Sequence, residues 1–163
     1  REFKLTRTLE RLNNIIHRSR LATKFVSLVL VELDLVGTVI YCNAGHPLPL
    51  LYRDGEITEL GMGGSILGPN PDAQYERGYT QMSPGAVLLL YTDGIVEAED
   101  ESGEPFGMER LEAVLGVHRG DDLDGLLGRA HEAVRRHRGP HEAEDDATML
   151  ALRVLVGAPE SGA

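Results

Sequence analysis

The sequence predicts an α+β fold built as one domain, and three observations predict it. Candidate helices and strands fall in segregated runs: one helix, a series of strands, two helices and a returning strand, rather than alternating βαβ units. Two of the strands, within Phe25–Leu35 and Ala86–Thr92, are apolar on both faces, so each face needs helices or a second sheet over it. The length of 163 residues suits a single domain that buries roughly 68–70% of its unfolded surface without disulfides or a structural metal.

Each element follows from a local pattern. Leu5, Leu9, Leu12 and Ile16 are spaced 4, 3 and 4 and predict a helix over residues 1–21. Phe25–Leu35 changes period and predicts a strand, turning at Val36-Gly37 into a hairpin partner over Thr38–Cys42. Asn43–Pro47 reads as a loop. Leu48–Tyr52, Asp54-Gly55 and Glu56–Leu60 predict a second hairpin, with Asp-Gly as its turn signal. Gly61–Asp72 holds four glycines and two prolines in twelve residues and predicts a long loop bordering a functional site. Strands are expected over Tyr75–Met82 and Ala86–Thr92, with a turn at Ser83-Pro84-Gly85 between them. A helical turn over Ile95–Glu99 and a helix over Glu109–Leu115 follow. The next helix, Asp122–Arg138, is capped by its aspartate and stopped by Gly139-Pro140. Arg135, Arg136 and Arg138 place positive charge at its C-terminus, where the helix dipole favours it. Ala147–Val156 is the returning strand. The domain is expected over residues 1–156 and a disordered tail over 157–163.

The charge excludes whole classes of function. Sixteen Lys and Arg against 26 Asp and Glu leave a net charge of −10. That sign disfavours nucleic acid and anionic membrane and tolerates divalent cations. Cys42 is the only cysteine, so neither a disulfide nor a cysteine-rich zinc site forms within the chain. It suits a reducing compartment, and a cytoplasmic location is expected. No apolar run approaches the ~18 residues of a membrane span. With no signal peptide and no initiator methionine, the chain is expected to be a piece of a longer protein.

Familiar catalytic templates fail. The Gly61–Gly68 stretch matches neither a hydrolase elbow nor a dinucleotide fingerprint. His137 and His141 are split by Gly139-Pro140, which breaks any shared helical face. Two acidic spots remain. Asp93 ends the Ala86–Thr92 strand in Thr92-Asp93-Gly94, and Glu144-Asp145-Asp146 precede the returning strand. If the two strands are antiparallel neighbours, these carboxylates lie at the same end of a sheet. They would then repel one another unless a hard divalent cation is bound. The ordinary alternative is an Asp-Gly turn beside a solvated acidic loop.

Four segments, taken together, resemble a SpoIIE/RsbU-type phosphatase domain of the metal-dependent, type 2C-like family. They are Leu12-Asn13; Tyr41-Cys42-Asn43-Ala44-Gly45-His46-Pro47; Pro84-Gly85 with Leu88–Gly94; and Asp145–Leu150. The resemblance implies an α/β/β/α four-layer sandwich, two antiparallel sheets with helices outside. It implies hydrolysis of phosphoserine or phosphothreonine on a signalling protein, a phosphorylated anti-anti-sigma factor in the family's usual case. An upstream sensor domain often accompanies the domain. Two Mn2+ or Mg2+ ions would neutralise the phosphoryl oxygens during in-line attack by water. By the same resemblance Asp93 and Asp145 are metal ligands and Asp146 is a supporting ligand or orienter. Gly94 allows close backbone approach, and Thr148 supplies a structural hydroxyl. Asn43 and His46 support the site from the loop, His46 either by ordering it or as a general acid. The family's first metal motif, an Asp-Gly pair and a later Gly-His-Gly, has no counterpart here, since nothing before Phe25 is Asp or Gly. The chain is therefore expected to be the C-terminal two-thirds of the domain, inactive alone. The alternative is a partner-binding module that keeps the fold without catalysis.

Overall fold

The structure is a computed structural model that describes residues 4–19, 25–118, 120–140 and 145–155. In chain order its elements are α1 (Lys4–Arg18), β1 (Leu28–Leu33), β2 (Thr38–Ala44), β3 (Leu50–Arg53), β4 (Glu56–Glu59), β5 (Gly63–Gly64), β6 (Gly78–Gln81), β7 (Val87–Tyr91), α2 (Asp93–Val96), α3 (Gly107–His118), α4 (Leu123–Arg138) and β8 (Met149–Arg153). They divide into two units, one from residues 1–48 and 60–82, the other from 49–59 and 83–163. His141, Glu144, the outer ends of the first helix and the 157–163 tail lie outside the described residues.

In the first unit the apolar stripe of α1 faces a sheet. Leu9 is fully buried with Cys42, Ala44 and Leu67, and Leu12 and Ile16 pack half-buried against that cluster. Asn13 joins the stripe although it is polar, because both ends of its amide are satisfied. Its Nδ2 donates to the Asn70 carbonyl at 2.7 Å and its Oδ1 accepts from Gly68 N–H at 2.8 Å. The sheet runs β1-β2-β5, with β6 also paired to β2. β1 and β6 pair antiparallel to β2, whereas β5 pairs parallel to it through Asn43↔Gly63 and Ala44↔Gly64. The glycine-rich stretch is thus more than the expected loop. A Cβ at Gly63 would fall inside the Asn43 carbonyl, so only glycine lets the two backbones meet.

β1 differs from expectation. It spans six residues, half-buried or exposed, where a longer strand buried on both faces was predicted. Phe25 is 66% exposed and Leu35 is fully exposed. The reason is position: β1 is a sheet edge, paired on one side to β2, and an edge strand is not sandwiched as a central one is.

In the second unit the sheet runs β4-β3-β7-β8, antiparallel throughout. Here the two-sided apolar strand behaves as predicted. β7 is central, and Val87, Leu88, Leu89 and Tyr91 are buried. Leu111 and Leu115 of α3 and Leu126 and Val134 of α4 share one core with Leu50, Val87 and Leu89. Both ends of α4 match their sequence signals. Asp122 accepts from Gly125 N–H at 2.6 Å, and Gly139, with φ of 68°, donates its N–H to the Arg135 carbonyl. α2 starts two residues before the expected helical turn, which makes Asp93 its first residue.

Candidate metal-binding site

β7 and β8 are antiparallel neighbours, with Tyr91 opposite Met149. The C-terminal end of β7 and the N-terminal end of β8 therefore coincide, as the acidic spots required. Beyond the last pair the ladder continues, with Thr92 N–H donating to the Thr148 carbonyl at 3.0 Å. The Thr92 hydroxyl then bridges the two segments. Its Oγ1 donates to the Asp146 carbonyl at 2.9 Å and accepts from Thr148 N–H at 2.9 Å.

This clamp brings Asp93, Gly94, Asp145, Asp146 and Thr148 together. Asp93, Asp145, Asp146 and Thr148 are exposed. Asp93 Oδ1 accepts from Gly94 N–H at 3.1 Å, and Asp145 Oδ1 accepts from Asp146 N–H at 2.7 Å. Gly94 faces the backbone of the acidic segment. A Cβ there would lie 2.8 Å from the Asp146 carbonyl oxygen and 3.1 Å from its carbon, so a side chain would push the acidic segment away. At Thr148 the contacts are backbone ones. The hydroxyl that joins the strands belongs to Thr92, a residue quoted in the motif but given no role by sequence reasoning.

Asn43 and His46 form a separate group in the first unit. Asn43 is buried and closes the turn on itself, its Nδ2 donating to the His46 carbonyl at 2.8 Å and its Oδ1 accepting from His46 N–H at 2.7 Å. His46 Nδ1 lies 3.2 Å from Ser27 Oγ. The turn is thus closed by the Asn43 side chain on backbone atoms of His46. His137 sits elsewhere, its Nε2 at 2.9 Å from the Glu104 carbonyl and its ring edge-on to Phe106.

The donor set at the strand ends is carboxylate oxygen, the chemistry of a hard divalent cation rather than zinc. Among the described residues no group of three or more His, Cys, Asp or Glu is gathered to hold a metal. Two carboxylates at adjacent strand ends would make only part of a coordination shell, the rest falling to water, as magnesium permits.

A family model described as Stage II sporulation protein E (SpoIIE) matches residues 1–155. The chain belongs to the SpoIIE family. It is 29% identical over 117 residues to Protein IcfG of Synechocystis sp., covering 71% of this chain and 18% of that protein. It is 22% identical over 153 residues to Phosphoserine phosphatase RsbU of Bacillus subtilis, covering 91% of this chain and 44% of RsbU. The SiaA-PP2C domain of Pseudomonas aeruginosa superposes with a TM-score of 0.80 at 22% identity, over 91% of this chain and 60% of that one. The chain spans less than two thirds of the length of each of these three, and its α+β architecture of two sheets with helices is the fold of PP2C phosphatase domains. Among the described residues no helix is long and apolar enough to cross a membrane.

Proposed function

We propose that these residues form the larger part of a metal-dependent protein serine/threonine phosphatase domain. Its substrate is a phosphoserine or phosphothreonine on a signalling protein, in the first instance a phosphorylated anti-anti-sigma factor. The protein acts in the cytoplasm and receives its signal through an upstream sensor domain. The observation that carries this proposal is the meeting of Asp93 with the Asp145-Asp146 segment at one end of adjacent antiparallel strands. The similarity to a protein named Phosphoserine phosphatase RsbU supports the substrate chemistry.

Asp93 and Asp145 hold Mn2+ or Mg2+, Asp146 orients the segment, and Gly94 keeps the backbones close. The bound cations supply charge neutralisation for the phosphoryl group and activation of water. Holding two cations about 3.5–4 Å apart calls for a bridging carboxylate as well, which would come from outside these residues. In the full-length protein with saturating manganese, Asp93→Asn and Asp145→Asn should each cut hydrolysis of a phosphoserine protein by orders of magnitude while the fold persists. Wild-type turnover in either variant would refute the ligand assignment. The second possibility is a non-catalytic module that holds a signalling partner. Binding of the phosphoprotein without turnover by the full-length protein would select it.

A further inference from the structure

Thr92 stands at the N-cap of α2 with extended backbone, φ −91° and ψ 160°. A threonine there ordinarily turns its hydroxyl to an N–H of the first helical turn. Here the side chain makes no cap hydrogen bond. The hydroxyl goes to the other strand instead, donating to the Asp146 carbonyl and accepting from Thr148 N–H. Among the described residues the structure places three hydrogen bonds between Thr92–Gly94 and Asp145–Thr148, and two of them run through this hydroxyl.

We infer that Thr92 is a positioning residue of the metal site, whose hydroxyl sets the Asp145-Asp146 segment against Asp93 so that both carboxylates meet one cation. The inference rests on the assignment of Asp93 and Asp145 as ligands. Its physical basis is that the two carboxylates come from separate chain segments, each exposed to water. Their own hydrogen bonds go only to the next residue's N–H, which does nothing to fix one segment relative to the other. Magnesium demands near-ideal octahedral geometry, so a segment free to slide would present its carboxylate badly. Thr92 removes that freedom without touching the cation.

The test uses the full-length protein and calorimetric titration with manganese, alongside thermal unfolding in chelator. Thr92→Val keeps the shape and deletes both hydrogen bonds, and should weaken manganese affinity about 10–100-fold, as loss of an outer-shell partner does. Thr92→Ser keeps the hydroxyl and should restore near wild-type affinity. A merely structural threonine would lower the unfolding temperature in chelator while leaving the affinity of the folded protein unchanged, which would overturn the inference. So would equal weakening in the valine and serine variants. Asp93→Asn and Asp145→Asn separate the two levels. If both bind manganese as wild type does, the ligand assignment itself falls; if they lose binding and Thr92→Val does not, only the role of Thr92 falls. Thr92→Ala is the second hydroxyl-free variant. Should neither it nor the valine variant fold even with manganese present, Thr92 belongs to the fold, and the positioning role is overturned.

Discussion

Cys42 lies fully buried in the first unit, its thiol donating to the Glu76 carbonyl at 3.1 Å. Burial pushes its pKa up from 9.0 to about 11. A raised value in the folded state means the folded chain holds the proton that the unfolded chain has released. The stability contributed is complete below pH 9 and lost as pH rises towards 11. The native thiol should therefore resist a disulfide reagent at pH 8 and react at once when urea unfolds the chain; equal rates would contradict its burial. At this same scale the meeting of the two acidic segments is legible in the sequence, because Asp93 follows a strand apolar on both faces and Asp145 precedes the returning strand that pairs with it. Thr92 is not legible. A threonine before Asp-Gly reads as a helix cap, and its actual partners are brought alongside only by the pairing of β7 with β8.

Elements were predicted best where one strong local signal decides. α4 shows this, with an aspartate cap and a glycine stop that need no tertiary information. Asp122→Ala should cost about 0.5–2 kcal/mol in denaturant unfolding, the usual loss for an N-cap. The periodicity of α1 also survives, but its most buried line runs through Leu5, Leu9 and Asn13. Leu9 is fully buried while Leu12 is only half-buried. Leu9→Ala should cost about 2–5 kcal/mol, and Leu12→Ala less. A Leu9 variant as stable as wild type would mean that α1 does not cover its sheet. β1 and β7 explain the main miss. Their two-sided apolar patterns look alike, but strand order decides which is central, and strand order is set by partners distant in sequence. The parallel pairing of β5 with β2 was hidden for the same reason, since two glycines carry no apolar signal.

For the whole molecule, ligand counting sets the expectation. On the proposed assignment Asp93 and Asp145 supply two carboxylates, and among the described residues no group of three or more His, Cys, Asp or Glu could hold a metal. The isolated 163 residues should take up no more than one manganese ion in calorimetry, weakly, with negligible turnover of a phosphoserine protein. Supplying the remaining ligands of a complete phosphatase domain should bring a second ion and activity. Metal-dependent turnover by the isolated chain would show that the bridging acid has another source. The interleaving of the two units bears on something else, the order of synthesis. β3, made amid the strands of the first unit, belongs to the sheet of the second, and β7 pairs on one side with β3 and on the other with β8, which follows α4 in the chain. A ribosome that has released everything through α4 still holds back the strand that completes this sheet. Until then the buried face of β7 has an open edge, which makes this interval the one in which a nascent chain most needs a chaperone.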